Sequence, residues 1–133
     1  IIWARFTQDV DLIMDLLGHS ACRFDGRGDE EERAISKRAF QAGDKQWFVS
    51  KAQVGGEGLT LTQAGTVIYY NNTFRLKDRL QSEDRAHRIG LEHPVLYVDM
   101  LAEGTIDQHI LQKLALKLDV ASRVTGDEVR EWL

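Results

Sequence analysis

The fold is decided by residues 66–88, which read TVIYYNNTFRLKDRLQSEDRAHR. The first five of these residues are β-branched or aromatic, and such a run predicts a strand. The spacing of the residues that follow predicts a polar helix from about residue 75 to residue 88. A strand that leads through a short polar loop into a helix is the repeating unit of α/β folds.

The same order recurs along the chain. Further strands are predicted where short apolar runs end at turn residues, namely 1–4, 21–24, 47–49 and 95–101. Further helices are predicted from apolar spacing or from a capping residue. The first has an apolar face from Val10 to Leu17 and ends at Gly18, and the second begins at Asp29 and ends at Gly43. A third begins at a capping box over residues 105–108. That last helix carries an apolar stripe of Ile106, Ile110, Leu114 and Leu118, and a second box at 125–128 is expected to begin a terminal turn.

Strands that alternate with helices predict a doubly wound α/β fold with a mostly parallel sheet and helices on both faces. No linker or repeat interrupts the pattern, so residues 1–133 are expected to form one domain. Ligands of such sheets bind beyond the carboxyl ends of the strands. The loops after Ala4, Phe24, Ser50 and Tyr70 are therefore the places to look for a site.

The composition is that of a globular domain. With 17 basic and 21 acidic residues the net charge is −4, and 43% of the residues are apolar. A single cysteine, Cys22, and the lack of a Cys/His cluster at zinc spacing indicate a reducing compartment and no structural metal. No apolar run reaches the roughly 18 residues of a membrane span. Because the chain opens on Ile1 within an apolar run, we expect it to be a piece of a longer protein.

The helix predicted over 75–88 carries the first candidate site. Gln81, Arg85 and Arg88 follow the spacing i, i+4, i+7 and so share one face. Two guanidinium groups one turn apart suit a phosphate or polyphosphate, because each offers a fork of donors and keeps its charge. A solvated helix with an Asp84–Arg88 pair explains the same spacing, and spacing alone leaves both interpretations open.

Another side of that helix carries Leu76, Leu80 and His87, and this side can face the core.

A glycine-rich run, residues 55–58, follows the third predicted strand. Its backbone amides suit close approach to a phosphate, and a tight turn explains the run equally well. Neither a dinucleotide fingerprint nor a Walker A sequence is present. The acidic run from Asp29 to Glu32 is interpreted as the capped start of a helix.

Taken together, these segments resemble a known family. Residues 54–64, VGGEGLTLTQA, and 81–90, QSEDRAHRIG, are similar to motifs V and VI of the Swi/Snf family of DNA-translocating ATPases in helicase superfamily 2. Residues 104–117 are similar to the segment that follows motif VI, and residues 1–4 and 24–26 resemble motif IV and the turn after it. The resemblance covers nearly the whole chain.

The resemblance implies the carboxyl-terminal of two RecA-like lobes. The amino-terminal lobe of the same protein would supply the Walker A lysine and the carboxylates that hold Mg²⁺, and ATP would bind between the lobes. Arg88 would be the arginine finger on the γ-phosphate, Arg85 would support the phosphates or the transition state, and Gln81 would position both. Gly56, Glu57 and Gly58 would border the nucleotide and sense DNA. His87 is expected to pack against the lobe instead of acting as a base.

The resemblance further implies DNA, expected as duplex, as the partner, and the lack of a long apolar run predicts no membrane contact. Contacts to DNA phosphates are expected from Arg5, Thr7, Arg27 and Lys51, each of which is otherwise an ordinary surface residue. A non-catalytic binding module and an ordinary nucleotide-binding enzyme are the alternative functions.

Some positions depart from the family pattern. Asn71 and the run 74–76, Phe-Arg-Leu, stand where many members have an aspartate and Trp-Asn-Pro, and Leu91 replaces a glutamine. From these departures, from Glu57 and from the lack of a large insertion we expect a bacterial or bacteriophage member that acts in the cytoplasm. Nucleosomes are then not the expected substrate.

Overall fold

All five predicted strands are present. The computed structural model describes residues 1–54, 59–87 and 93–125. The strands are β1 (Ile2–Trp3), β2 (Ala21–Phe24), β3 (Trp47–Ser50), β4 (Thr66–Tyr69) and β5 (Leu96–Asp99). They pair in parallel in the order β2-β3-β1-β4-β5, which confirms the doubly wound fold. The neighbouring strands β1 and β4 continue in opposite directions, since the chain runs from β1 to β2 at one edge and from β4 to β5 at the other. Such a switch point is where α/β sheets bind ligands.

The helices are α1 (Thr7–Leu17), α2 (Glu30–Gln41), α3 (Leu76–Ala86) and α4 (Ile106–Thr125). Gly18 ends α1 as predicted, with a φ of 53° that favours glycine. Asp29 begins α2, because its carboxylate accepts a hydrogen bond from the Glu32 amide at 2.8 Å. The predicted box at 125–128 begins on the last residue of α4, and its other residues lie outside the described ones.

Two apolar clusters hold the helices on the sheet. On one face Val10 and Ile13 of α1 pack with Ile2, Ala21 and Val49. The other face is built from aromatic residues of the strands and of α2, listed here: Trp3, Phe24, Phe40, Phe48 and Tyr69. Both clusters form because side chains alternate between the two faces along each strand.

The predicted coverage of both faces is wrong at β5. Leu96 and Val98 are 61% and 37% exposed. They lie in register with Thr66 and Ile68 of β4, and Ile68 packs with the α1 cluster, so they belong to the α1 face. Helix α1 packs on β2 and β3, at the other end of the sheet, and leaves Leu96 and Val98 exposed.

The prediction for the inner face of α3 is also wrong. Leu76 and Leu80 are only half-buried, and His87 is exposed just beyond the helix end. The buried side is instead mostly polar and comprises Asp78, Arg79, Ser82, Glu83, Arg85 and Ala86. Polar residues can face inward here because they bind one another and the polar ends of the strands, as where the hydroxyls of Ser82 and Tyr69 lie 2.7 Å apart.

Helix α4 packs against α3. Ile110, Leu114 and Leu118 of its predicted apolar stripe are buried, whereas Ile106 is 62% exposed in the first turn. Lys117 also joins α4 to the segment just before α3, because its ammonium donates a hydrogen bond to the carbonyl of Phe74 at 2.6 Å.

Candidate functional site

The loops after β1, β3 and β4 meet at the carboxyl edge of the sheet. The amide of Ala4 donates to the carbonyl of Ser50 at 2.9 Å, and the amide of Arg5 donates to Asn71 Oδ1 at 2.6 Å. Lys51 Nζ donates to the hydroxyl of Thr7 at 2.5 Å. The structure therefore brings together three of the four residues predicted to contact DNA, namely Arg5, Thr7 and Lys51.

Arg27, the fourth residue, is engaged elsewhere. Its guanidinium donates to Asp25 Oδ2 and Asp11 Oδ1, each at 2.7 Å. Burial would raise the pKa of Asp25, but the hydrogen bonds from Arg27 hold that pKa below its usual range. Arg27 also lowers the pKa of Asp11. Two carboxylates therefore compensate the charge of Arg27, and its contact with DNA stays a prediction.

Arg85 lies at the same edge, at the end of α3. Only 4% of its surface is exposed, and Nη1 donates to the carbonyls of Ala52 and Val54 at 3.2 and 2.8 Å. Its Cζ is 5.3 Å from the centroid of the Trp3 ring. Burial lowers the pKa of Arg85, yet a guanidinium keeps its proton in proteins. The result is a fixed positive charge against the loop that follows β3.

Arg85 also bonds to the chain on the other side of the glycine-rich run. Its carbonyl accepts a hydrogen bond from the amide of Leu61 at 2.8 Å. The side chain thus holds residue 54 and the backbone holds residue 61, so one residue of α3 binds both ends of the segment that contains residues 55–58.

The remaining predicted site residues are placed only in part. Gln81 is half-buried in the middle of α3. Arg88 and the glycine-rich residues Gly56, Glu57 and Gly58 lie outside the described residues. The predicted common face of Gln81, Arg85 and Arg88 stays a prediction, since only Gln81 and Arg85 are described; of these, Arg85 turns toward the carbonyls of the β3 loop.

Sequence reasoning missed a second set of polar residues at this edge. Gln53 donates to Asp78 Oδ2 at 3.0 Å and so ties the β3 loop to α3. Arg79 binds Asp99 at the end of β5 and Glu83 one turn along α3. The i, i+4 spacing of Arg79 and Glu83 was a visible signal for a pair. The contacts of Gln53 and Asp99 join distant parts of the chain and left no signal.

A parallel sheet with a switch point and polar side chains at its carboxyl edge is typical of α/β domains that bind a ligand at that edge. Comparisons with known proteins identify the family. Residues 1–90 match the family described as "Helicase conserved C-terminal domain", and the chain belongs to that family. Its relatives are of the Swi/Snf type, which confirms the resemblance seen in the sequence.

Two relatives and one solved structure illustrate the match. The chain is 33% identical over 129 residues to human "SWI/SNF-related matrix-associated actin-dependent regulator of chromatin subfamily A member 1", covering 93% of this chain and 12% of the relative. It is 32% identical over 129 residues to "Transcription regulatory protein SNF2" of Saccharomyces cerevisiae, covering 93% and 8%. The fold matches the crystal structure of the C-terminal part of the Fun30 ATPase domain with a TM-score of 0.74 and 28% identity, over 85% of this chain and 38% of that one.

These relatives set limits on the assignment. The chain spans 12% or less of the two curated relatives, so the activity of the whole protein is a matter for proposal. Both are eukaryotic, and they lend no support to the expected bacterial or bacteriophage origin. Among the described residues, no helix is long and apolar enough to cross a membrane.

Proposed function

We propose that residues 1–133 form the carboxyl-terminal motor lobe of an ATP-dependent DNA translocase or helicase. ATP binds between this lobe and an amino-terminal RecA-like lobe of the same protein, and that other lobe holds Mg²⁺. The observation that carries the proposal is Arg85, a buried cation at the carboxyl edge of the sheet that binds the β3 loop at residues 52 and 54.

Phosphoryl transfer depends on positioning and on charge stabilisation at the γ-phosphate. An arginine that reaches the nucleotide from across a cleft supplies both only when the cleft closes, and hydrolysis is thereby coupled to the movement of the lobes. In this proposal Arg88 contacts the γ-phosphate, Arg85 supports the phosphates or the transition state, and Gln81 positions both arginines. Alone, the lobe hydrolyses almost no ATP.

The same edge binds the DNA backbone. Arg5, Thr7 and Lys51 offer two cations and a hydroxyl within one cluster, and groups of this kind bind phosphate oxygens without reading bases. Lys51 directly precedes Ala52, whose carbonyl Arg85 binds. A shift of the β3 loop on DNA therefore reaches Arg85 within a single residue. In this proposal Gly56, Glu57 and Gly58 border the nucleotide and sense DNA.

The test is DNA-stimulated ATP hydrolysis by the full-length protein with Arg85→Ala or Arg88→Ala. Removal of an arginine finger costs about 10³-fold or more in turnover, so we expect a loss of that size for Arg88→Ala and a large loss for Arg85→Ala. Arg75→Ala is the matched control, because its side chain lies at the start of the same helix and is 69% exposed. Its rate should stay within about two-fold of the wild-type rate, as is usual for exposed positions.

Unchanged turnover in both arginine variants would contradict the proposal. It would favour a non-catalytic binding module on the same fold, which has no use for a γ-phosphate contact.

A further inference from the structure

A buried guanidinium holds the start of α3 on the sheet. Arg79 is 3% exposed, and its Nη1 and Nη2 donate to the two carboxylate oxygens of Asp99 at 2.5 and 3.1 Å. Nε donates to Glu83 at 2.7 Å, and Nη1 also donates to Asn72 Oδ1 at 3.0 Å. Cζ lies 3.6 Å from the centroid of the Tyr69 ring. All three guanidinium nitrogens of Arg79 thus donate to groups of the lobe itself.

Such a network specifies a geometry more than it adds stability. Replacing a buried ion pair by apolar residues of similar volume is often neutral or stabilising, because both charges must lose their water. The bidentate contact, in contrast, has one good arrangement in distance and in angle. Asp99 ends β5 and Tyr69 ends β4, so Arg79 fixes the position and the rotation of α3 relative to both strands.

The fixed helix carries the site residues. Gln81 and Arg85 follow Arg79 by two and six residues, which places Arg85 about 9 Å further along the helix axis. Arg85 is held at its own end by the carbonyls of Ala52 and Val54. Helix α3 is therefore attached to β4 and β5 at one end and to the β3 loop at the other. A misplacement of about 1 Å at a reacting centre can cost 10²-fold in rate, so this attachment matters for catalysis.

We infer that Arg79 is a positioning residue for ATP hydrolysis, which acts through Arg85 and Gln81 by clamping α3 to Asp99 and Tyr69 and never touches the nucleotide. The inference rests on the proposed function. It predicts that Arg79 and Asp99 affect turnover, although neither residue belongs to the motif arginines or to the DNA-binding cluster.

The experiment compares Arg79→Met, Arg79→Lys and Asp99→Asn in the full-length protein. We expect Arg79→Met to lower the DNA-stimulated kcat by about 10-fold or more while the KM for ATP stays within about 3-fold, because the lost positioning acts in the transition state. Arg79→Lys keeps the charge but not the fork of donors, so it should recover part of the rate. Arg75→Met, an exposed change on the same helix, should have a rate within about two-fold of wild type.

A combined variant separates positioning from general destabilisation. If Arg79 acts through Arg85 and Gln81, then Arg79→Met should cause no further loss of kcat in a background that carries both Arg85→Ala and Gln81→Ala. Additive losses would overturn the inference, and so would an Arg79→Met kcat within two-fold of wild type. Should Arg79→Met fail to fold, Asp99→Asn decides: a fall in kcat of about 3-fold or more at constant KM supports the clamp, and an unchanged kcat refutes it.

Failure of the proposed function looks different. In that case Arg85→Ala itself leaves kcat unchanged, whereas failure of the present inference alone leaves Arg85→Ala inactive and Arg79→Met active.

Discussion

Lys51→Gln tests how the lobe grips DNA. The Lys51 ammonium lies at the carboxyl end of β3, 2.5 Å from the hydroxyl of Thr7. Cations that contact phosphates release counterions from DNA, and each contact adds about 0.9 to the slope of log K against log salt for duplex DNA. The substitution removes one charge and leaves a polar side chain of similar length. We therefore expect the steepness of the salt dependence to fall by about 0.9.

The change in slope sets the size of the loss in DNA affinity. Between about 50 and 200 mM salt the concentration changes four-fold, and a slope difference of about 0.9 then amounts to about 3.5-fold in relative affinity. The assay is titration of the full-length protein into labelled duplex DNA at several salt concentrations. The loss should be similar for unrelated DNA sequences, because a phosphate contact carries no base information.

Lys45→Gln is the matched control. Lys45 flanks the same strand at its amino end, where its ammonium donates to the carbonyl of His19 at 2.6 Å. It lies at the end of the sheet away from the proposed DNA grip, so its substitution should leave the slope unchanged. An unchanged slope for Lys51→Gln, or an equal loss for Lys45→Gln, would refute the placement of DNA at the carboxyl edge.

Further predictions concern the stability and reactivity of the lobe. Because the folded pKa of Asp25 is lowered, its carboxylate stabilises the fold above the unfolded pKa of about 3.9, and this contribution is lost as the pH falls through the folded pKa. Urea unfolding between pH 6 and pH 3 should therefore show a smaller loss of stability for Asp25→Asn than for wild type. An equal loss in both would contradict the pairing of Asp25 with Arg27. Phe48 is fully buried between the rings of Phe24 and Phe40, whose centroids lie 5.3 and 5.4 Å from its own. Phe48→Ala should therefore lower the free energy of unfolding by about 3–5 kcal/mol. A change below about 1 kcal/mol in denaturant titrations would refute this packing. Burial raises the pKa of the Cys22 thiol to about 11, so alkylation by iodoacetamide at pH 8 should be far slower in the folded than in the urea-unfolded chain, and similar rates would show that the thiol is accessible.

Local signals in the sequence predicted the frame of the fold well. The cap at Asp29 and the stop at Gly18 depend on neighbouring residues alone, and both are confirmed. The strands followed from β-branched and aromatic runs. The order β2-β3-β1-β4-β5, in contrast, depends on which strands meet in space, and only the doubly wound class could be predicted from the alternation of elements.

The inner face of α3 shows why the site was predicted only in part. The rule that apolar residues face inward pointed to Leu76 and Leu80, but α3 buries Arg79 and Arg85 instead. Their partners, Asp99 and the carbonyls of residues 52 and 54, come from other elements and cannot be read from helical spacing. The motif residues themselves were readable in sequence, whereas the direction in which Arg85 turns required the structure.

The central claim is that an arginine of this lobe stabilises the transition state of ATP hydrolysis. The most direct measurement is the affinity of the full-length protein, bound to DNA, for ADP with aluminium fluoride and for ADP alone, with and without Arg85→Ala. A group that acts in the transition state strengthens binding of the analogue and not of the product. We predict a loss of about 10²-fold or more for the aluminium fluoride complex with ADP affinity within about two-fold of wild type. Equal affinities of wild type and variant for the aluminium fluoride complex would contradict the account.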